Sequence, residues 1–147
     1  MVATEPVDSE VLPCPLYSRY GYDYVQQRAD GRLVAGGRRD TNLDGETTSE
    51  ERTTDEIQRQ LEVLVGELTN GSPPPITHRW AGLMGFTEDS LPLVGELADR
   101  PGVWVAVGYS GHGNVLGFGC GEAVARAFLG DPDERIAPFR PDRLLGP

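Results

Sequence analysis

The chain has 147 residues, enough for one domain with a hydrophobic core but few for a cofactor domain and a substrate domain together. Its formal net charge of −10 argues against binding to nucleic acids or to anionic membrane surfaces. All 13 basic residues are arginine, and the absence of lysine excludes Schiff-base catalysis, pyridoxal phosphate attachment and a P-loop lysine.

Cysteine usage and the N-terminus indicate the cellular compartment. Cys14 and Cys120 are isolated, with neither metal-ligand spacing nor a disulfide framework, so we expect reducing surroundings and no bound metal. The first residues lack a basic segment followed by an apolar one, and no apolar run reaches the ~18 residues of a membrane span. We therefore expect a cytoplasmic, soluble protein without a nucleic-acid or membrane partner.

The predicted elements begin with a connection. Residues 1–15 hold three prolines among polar and acidic positions, which predicts a linking segment that has lost what preceded it. An Asp30-Gly31 pair between two β-prone segments then predicts a hairpin over residues 20–37. Three tyrosines alternate at its start, as on one face of a strand: Tyr20, Tyr22 and Tyr24.

A loop and a helix follow the hairpin. Residues 38–54 are polar and predict an exposed loop, and an apolar stripe predicts an amphipathic helix over residues 54–69. Thr53 and Glu56 have capping-box spacing at its start, and Asn70-Gly71 ends it. We assign residues 1–75 to the first of two segments.

Residues 76–147 make up the second segment. Short strands are predicted at residues 76–80 and 90–95, and the apolar run 103–107 predicts a buried strand. A helix over residues 115–129 stops at Gly130-Asp131-Pro132. The tail, residues 136–144, contains prolines and predicts an extended segment.

A glycine-rich turn lies between the last strand and the last helix. We call it the glycine turn: Gly108, Tyr109, Ser110, Gly111, His112, Gly113 and Asn114. The first N–H groups and the positive dipole end of a helix favour an electron-rich group there, and glycines let the backbone approach it closely. A plain helix cap with a tight helix–sheet contact would use the same glycines.

Glycine also recurs inside the last helix. Gly113, Gly117 and Gly121 are four residues apart and leave one helix face bare, which costs about 1 kcal/mol per glycine relative to alanine. The bare face therefore predicts close packing against a flat group or another backbone.

Two familiar turns are excluded. A nucleophile elbow, G-x-S-x-G, would need glycine at the position of His112. Gly108, Gly111 and Gly113 also lack the G-x-G-x-x-G spacing of a dinucleotide-binding turn, so the glycine turn is not the ADP-binding part of a Rossmann unit.

Taken together, motifs along nearly the whole chain resemble the C-terminal half of FAD-dependent oxidoreductases of the D-amino-acid oxidase type, which include glycine, sarcosine and γ-glutamylputrescine oxidases. The motifs are Asp30-Gly31-Arg32 with Gly36-Gly37, Trp80-Ala81-Gly82, Thr87-Glu88-Asp89, Leu91-Pro92-Leu93-Val94-Gly95, the glycine turn, and Phe139 with Asp142-Arg143. The resemblance implies an α+β fold: an antiparallel substrate-domain sheet with an amphipathic helix, then a strand–turn–helix unit of the flavin-binding domain, with the N-terminal Rossmann half absent.

The same resemblance implies a function. Such enzymes oxidise a C–N bond of an amine or amino acid by hydride transfer to flavin N5. Their partners here would be a small-molecule amine or amino-acid substrate and the missing N-terminal FAD-binding half. The glycine turn matches the family's flavin-contacting segment. Gly82 stands where the sarcosine oxidase branch carries FAD on a cysteine, which implies non-covalent FAD.

On the substrate side, Tyr24 matches a tyrosine that lines the family's substrate pocket. Met84 stands where the glycine oxidase branch holds the substrate carboxylate with an arginine, and the absence of lysine leaves oxidase and dehydrogenase both open. We expect Arg79 to form a structural ion pair and His112 to be held in the turn, and we assign no catalytic residue.

Two other functions remain open. A non-catalytic acidic binding module could keep the scaffold without the chemistry. This alternative rests on Met84, which stands in place of the carboxylate-binding arginine, and on the absence of lysine. A Ser/His hydrolase would use Ser110 and His112, although the elbow spacing disfavours it.

Overall fold

The computed structural model describes residues 1–144 and divides into two compact units, Met1–Leu83 and Met84–Pro147. The elements of the first unit are β1 (Val2–Pro6), β2 (Leu16–Ser18), β3 (Asp23–Gln27), β4 (Arg32–Gly37), α1 (Leu43–Glu46), α2 (Asp55–Leu68) and β5 (Ile76–Arg79). The sequence division fell between residues 75 and 76. Because β5 pairs with β1, it lies with the first unit.

The first unit is an antiparallel sheet covered on one face by α2. Its strand order is β2-β3-β4-β1-β5. Alternation along the strands directs one set of apolar side chains to the helix, where they meet the apolar stripe of α2. This core consists of Val2, Val25, Leu33, Ala35, Ile57, Leu61, Leu64 and Val65. The opposite face is free of α2, and we call it the open face.

The hairpin prediction is confirmed. β3 and β4 pair antiparallel, and Gly31 adopts φ +85° between them, a conformation that favours glycine. The Gly31 N–H donates to the Arg28 carbonyl at 2.9 Å, which closes the turn.

The predicted connection at residues 1–15 is wrong at its start. β1 lies between β4 and β5, and Val2 pairs with Ala35 on one side and Arg79 on the other. Val2 and Thr4 are β-branched and fully buried, which favours a strand. Pro6 is tolerated because it ends the strand beyond a register shift.

The tyrosine alternation is also interrupted. Tyr20 lies in a 3-10 turn, Arg19–Gly21, with φ +57°, and it is 99% exposed. The strand begins only at Asp23, so Tyr20 does not share a strand face with Tyr24.

Short helices occupy part of the predicted loop 38–54, and the start of α2 differs from the predicted capping box. A 3-10 turn spans Arg39–Thr41 and is followed by α1. Thr54, not Thr53, precedes α2, and its hydroxyl donates to the Glu46 carboxylate at 2.6 Å instead of capping the helix. The predicted end of α2 is confirmed, since the Gly71 N–H returns to the Gly66 carbonyl at 2.9 Å.

The second unit is built around an antiparallel strand pair and one helix. Its elements are β6 (Leu93–Glu96), β7 (Trp104–Val107) and α3 (Gly113–Phe128). α3 packs against both strands, and Val94 and Ala123 are buried there. These elements confirm the positions of the predicted strands and helix. The burial predicted for residues 103–107 is wrong, because β7 has no buried residue and Val103 and Val107 are exposed.

The tail of the second unit differs from the extended segment that the prolines predicted. It forms 3-10 turns at Glu134–Phe139 and Pro141–Leu144. The physical reason is that proline fixes φ near −65°, a value that 3-10 turns share with extended polyproline conformations. Within residues 1–144, no helix has the length and apolar character needed to span a membrane.

Candidate functional site

The glycine turn of the second unit connects β7 to α3, and several of its residues have left-handed backbone conformations. Gly108, Ser110 and Gly111 have φ values of +71°, +50° and +93°. Glycine is needed at 108 because a Cβ there would lie 2.8 Å from Thr87 Cγ2. The chain therefore makes a sharp change of direction that most other residues could not adopt.

Ser110 fastens the glycine turn to the segment before β6. Its N–H donates to the Gly85 carbonyl at 2.9 Å, and its Oγ accepts from the Thr87 N–H at 3.2 Å. The side chain is buried. The hydroxyl thus stabilises the turn and is not presented as a nucleophile, which disfavours a hydrolase based on Ser110 and His112. Sequence reasoning did not single out Thr87 for this contact.

The N-terminus of α3 is open. The first i→i−4 hydrogen bond runs from the Leu116 N–H to the His112 carbonyl at 3.0 Å, so the amides of Gly113 and Asn114 precede it. His112 occupies the N-cap position but makes no side-chain cap. With Gly111, His112 and Asn114 exposed, this end of the helix can receive an electron-rich group.

Tyr109 is held by the turn. Its hydroxyl donates to the Ala106 carbonyl at 2.7 Å, and burial raises the pKa of the phenol. A Cβ placed on Gly113 would lie 3.4 Å from the Tyr109 ring, an ordinary contact distance. The two residues therefore pack closely without strain.

The bare face of α3 is unused by the described part of the chain. A Cβ on Gly117 or Gly121 would meet no atom within 4 Å. Packing within residues 1–144 therefore gives no reason for glycine at these two positions.

Tyr24 lies on the open face of the first unit. The residues on either side of it, Asp23 and Val25, are buried, and alternation turns Tyr24 the other way. Tyr24 pairs with Gly36, and a Cβ on Gly36 would collide with the Tyr24 ring and the Met1 sulfur. Glycine at 36 thus allows the tyrosine ring to lie flat across β4.

Arg39, which sequence reasoning missed, lies beside the tyrosines. Its guanidinium carbon is 4.5 Å from the centre of the Tyr22 ring, and Nη1 donates to the Gly21 carbonyl at 3.4 Å. Burial raises the pKa of the Tyr24 phenol, whereas the charge of Arg39 acts to lower it. The signal in the sequence was the pair of arginines that follows the two glycines at the end of the strand, of which Arg39 is the second.

The other predicted site residues divide between the two units. Gly82 is the residue before the last one of the first unit, is exposed, and has open space where a Cβ would lie. Met84 opens the second unit with an exposed side chain. The structure thus brings Tyr24 together with Gly36 and Arg39, and the glycine turn together with residues 85–87.

Arg79 has the structural role predicted for it. It forms an ion pair with Glu62 and donates to Gln58 Oε1 at 2.8 Å, which links β5 to α2. His78 is exposed, and its Nδ1 lies 2.9 Å from Thr77 Oγ1.

Comparison with known families decides the class of this fold. The family described as FAD dependent oxidoreductase, DAO, matches residues 1–127. The chain belongs to this DAO family of FAD-dependent oxidoreductases.

Two proteins that are similar in sequence to this chain carry the name "Probable oxidoreductase OrdL". The protein from Rhizobium meliloti is 34% identical over 117 residues, covering 80% of this chain and 25% of the relative. The protein from Haemophilus influenzae is 30% identical over 146 residues, covering 95% of this chain and 31% of the relative. The chain therefore spans about a quarter to a third of the length of these relatives.

Solved structures share the fold of this DAO-family chain. L-proline dehydrogenase from P. horikoshii superimposes with a TM-score of 0.76 at 25% identity, over 98% of this chain and 38% of that one. Glycine oxidase from Geobacillus kaustophilus gives 0.74 at 21% identity, over 99% and 38%. The resemblance to D-amino-acid oxidase-type enzymes and a mixed fold with an antiparallel sheet are thereby confirmed.

The glycine turn suits the cofactor of the DAO family. Gly108 and Gly111 remove side chains from a left-handed turn, and the first amides of α3 offer donors at its positive end. An anionic or electron-rich part of FAD is the type of group that such donors bind.

Proposed function

We propose that this chain forms the C-terminal, flavin-facing and substrate-side part of an FAD-dependent oxidoreductase that acts on a C–N bond of an amine or amino acid. The observation that carries the proposal is the open N-terminus of α3, reached through glycine backbone in a chain of the DAO family. The other part would be an N-terminal Rossmann half that binds the ADP portion of the cofactor.

FAD, when bound, supplies the acceptor for a hydride taken from the carbon next to the amine, and negative charge builds up on the isoalloxazine. The backbone N–H groups of Gly113 and Asn114 would stabilise that charge. Gly111 and His112 would border the cofactor, while Tyr109 and Ser110 hold the turn in place through Ala106 and Thr87.

Tyr24 would contact the substrate. Because burial raises the pKa of its phenol, the hydroxyl is neutral at physiological pH and can donate a hydrogen bond. Met84 would line the pocket with an uncharged thioether. No residue of this chain is assigned as a general base, since a neutral amine substrate needs none.

Gly82 supports non-covalent attachment. It has no side chain and would offer no thiol to the flavin. If FAD is held in this way, acid precipitation of the loaded protein will leave all of the flavin in the supernatant. Flavin in the pellet would contradict non-covalent attachment.

The test is the visible absorption spectrum of the purified chain after incubation with FAD and desalting, alone and together with a Rossmann half from a related enzyme. We expect a flavin spectrum only with the added half, followed by bleaching when the right amine is supplied. Stoichiometric FAD retention by the chain alone would contradict the division of the cofactor site. Retention with no bleaching by any amine or amino acid would favour the non-catalytic acidic module.

A matched pair of variants locates the flavin contact. Gly113→Ala adds a methyl group at the open helix end, at an ordinary distance from Tyr109. Gly119→Ala adds the same group within α3, where it meets nothing within 4 Å. We expect Gly113→Ala to lower flavin retention by the assembled halves and Gly119→Ala to change it less. Equal retention in both variants would place the flavin elsewhere.

A further inference from the structure

The turn that ends α2 consists of an asparagine followed by a glycine. Asn70 and Gly71 are both exposed, and both have left-handed backbone, with φ values of +52° and +80°. Left-handed backbone favours glycine, and among the other residues asparagine and aspartate tolerate it best. The cap of α2 therefore favours the residue types that stand at both positions.

An asparagine followed by glycine can lose its side-chain amide without a catalyst. The backbone nitrogen of the glycine attacks the asparagine Cγ, the bond from Cγ to Nδ2 breaks, and ammonia leaves with the proton of the glycine amide. Water then adds to either carbonyl of the cyclic imide, which leaves aspartate or isoaspartate. Glycine favours the first step because no Cβ stands beside the attacking nitrogen.

The surroundings of Gly71 leave room for this reaction. A Cβ placed on Gly71 would meet no atom within 4 Å among the described residues. One hydrogen bond restrains the attacking nitrogen, since the Gly71 N–H donates to the Gly66 carbonyl at 2.9 Å. Helix ends open at a small cost in free energy. The reaction therefore starts from the folded chain after this one bond opens.

The other two asparagines of the chain lack this combination. Asn42 precedes Leu43, and its Oδ1 accepts a hydrogen bond from the Gly45 N–H at 3.2 Å. Asn114 lies in the first turn of α3 and precedes the β-branched Val115. A branched side chain crowds the attacking nitrogen in both cases. The two asparagines thus serve as internal controls for Asn70.

We propose that Asn70 is a site of spontaneous deamidation, and that the carboxylate formed there weakens the end of α2. α2 has no basic residue in its last turn, and the C-terminus of a helix disfavours negative charge. The modified chain therefore carries one more negative charge at the end of the helix that covers the core of the first unit. The proposal does not depend on the proposed function or on the cofactor.

The test incubates the full chain of 147 residues in mildly alkaline buffer, folded and in urea, and then digests samples at arginine. Cleavage places Asn42, Asn70 and Asn114 in separate peptides. Mass spectrometry detects the replacement of an amide by a carboxyl group, and an isoaspartate methyltransferase labels the rearranged product. We expect the mass gain and the label only in the Asn70 peptide. The folded chain should react about tenfold more slowly than the chain in urea, the effect of one backbone hydrogen bond.

An Asn70 peptide that keeps its mass in the folded chain, after a time in which a tenfold slower reaction would be complete, would overturn the proposal. Conversion of Asn42 or Asn114 at the same rate would also contradict it, because the turn would then not select the site. The matched variant is Asn70→Gly, which suits left-handed backbone and has no side-chain amide. A mass gain in the corresponding peptide of this variant would assign the change to Gln60 and not to Asn70.

The effect on α2 has its own measurement. Asn70→Asp reproduces the aspartate product, and the amides in the last turn of α2 should exchange with solvent about two- to fivefold faster than in the unsubstituted chain. Unchanged exchange in Asn70→Asp would contradict the predicted weakening of the helix end.

Discussion

At the scale of single residues, we predict that alanine at Gly108 and alanine at Gly119 have opposite effects on stability. Gly108 has φ +71° and little space beside Thr87, so Gly108→Ala should destabilise the second unit by about 1–3 kcal/mol. Gly119 lies within α3 with open space around it, so Gly119→Ala should stabilise the unit by about 0.5–1 kcal/mol. Hydrogen exchange of the amides of β6, β7 and α3 at increasing urea measures both. Equal destabilisation by the two substitutions would mean that the turn does not require glycine at 108.

Residue-level reasoning from the sequence succeeded where a residue acts through its own chemistry. The left-handed glycines of the hairpin and the ion pair of Arg79 follow from residue type and spacing. Tyr20 and Arg39 did not follow, because their positions depend on backbone conformation that no pattern encodes. Tyr20 leaves the strand at φ +57°, and Arg39 is placed by two preceding left-handed residues.

At the scale of elements, Arg143 joins the last 3-10 turn to the segment before β6. Its Nε and Nη2 donate to the two oxygens of Asp89 at 2.7 and 3.0 Å, and Nη2 also reaches the Leu91 carbonyl at 2.8 Å. The hydrogen bonds from Arg143, then the backbone N–H of Leu91, hold the pKa of the Asp89 carboxyl well below its usual range. A lowered pKa means that this contact stabilises the folded unit above about pH 4 and is lost as the pH falls further.

Arg143→Gln should therefore raise the pKa of Asp89 toward about 3.9 and reduce the loss of stability below pH 4. A matched control is Arg135→Gln, whose partner Asp133 has a pKa lowered to about 2 by hydrogen bonds from the Arg135 side chain and backbone. This control should raise the pKa of Asp133 and leave that of Asp89 unchanged. Carboxyl carbon chemical shifts against pH measure both groups. An unchanged titration midpoint of Asp89 in Arg143→Gln would mean that Arg143 is not what lowers the pKa of this carboxyl.

Elements with strong local signals were predictable, and those fixed by pairing were not. The amphipathic stripe of α2 and the apolar run of β7 identify these elements from sequence alone. β1 has five residues and ends in proline, so its strand character comes from pairing with β4 and β5 far along the chain. The open end of α3 was anticipated from its glycines, whereas the anchoring of that turn by Thr87 requires the fold.

At the scale of the whole molecule, a chain of net charge −10 carries exposed apolar side chains on α3. Val115, Phe118 and Leu129 are 77%, 85% and 81% exposed. Val115 and Phe118 are three residues apart and lie on one side of α3, and Leu129 directly follows the helix. Exposed apolar area of this kind favours association between copies of the chain. Repulsion between their negative charges opposes association, and salt shortens the range of that repulsion.

We therefore expect the isolated chain to self-associate more as salt is added, because screening of the −10 charge leaves the apolar attraction in place. Phe118→Ser should reduce that association, measured by sedimentation velocity at low and high salt. The matched control is Tyr20→Ser, which removes an even more exposed aromatic ring from the first unit and should have little effect. Phe118→Ser should also weaken capture of a supplied Rossmann half if that half covers α3. Association that falls with salt, or that falls equally in both variants, would mean that charge and not the apolar side of α3 controls it.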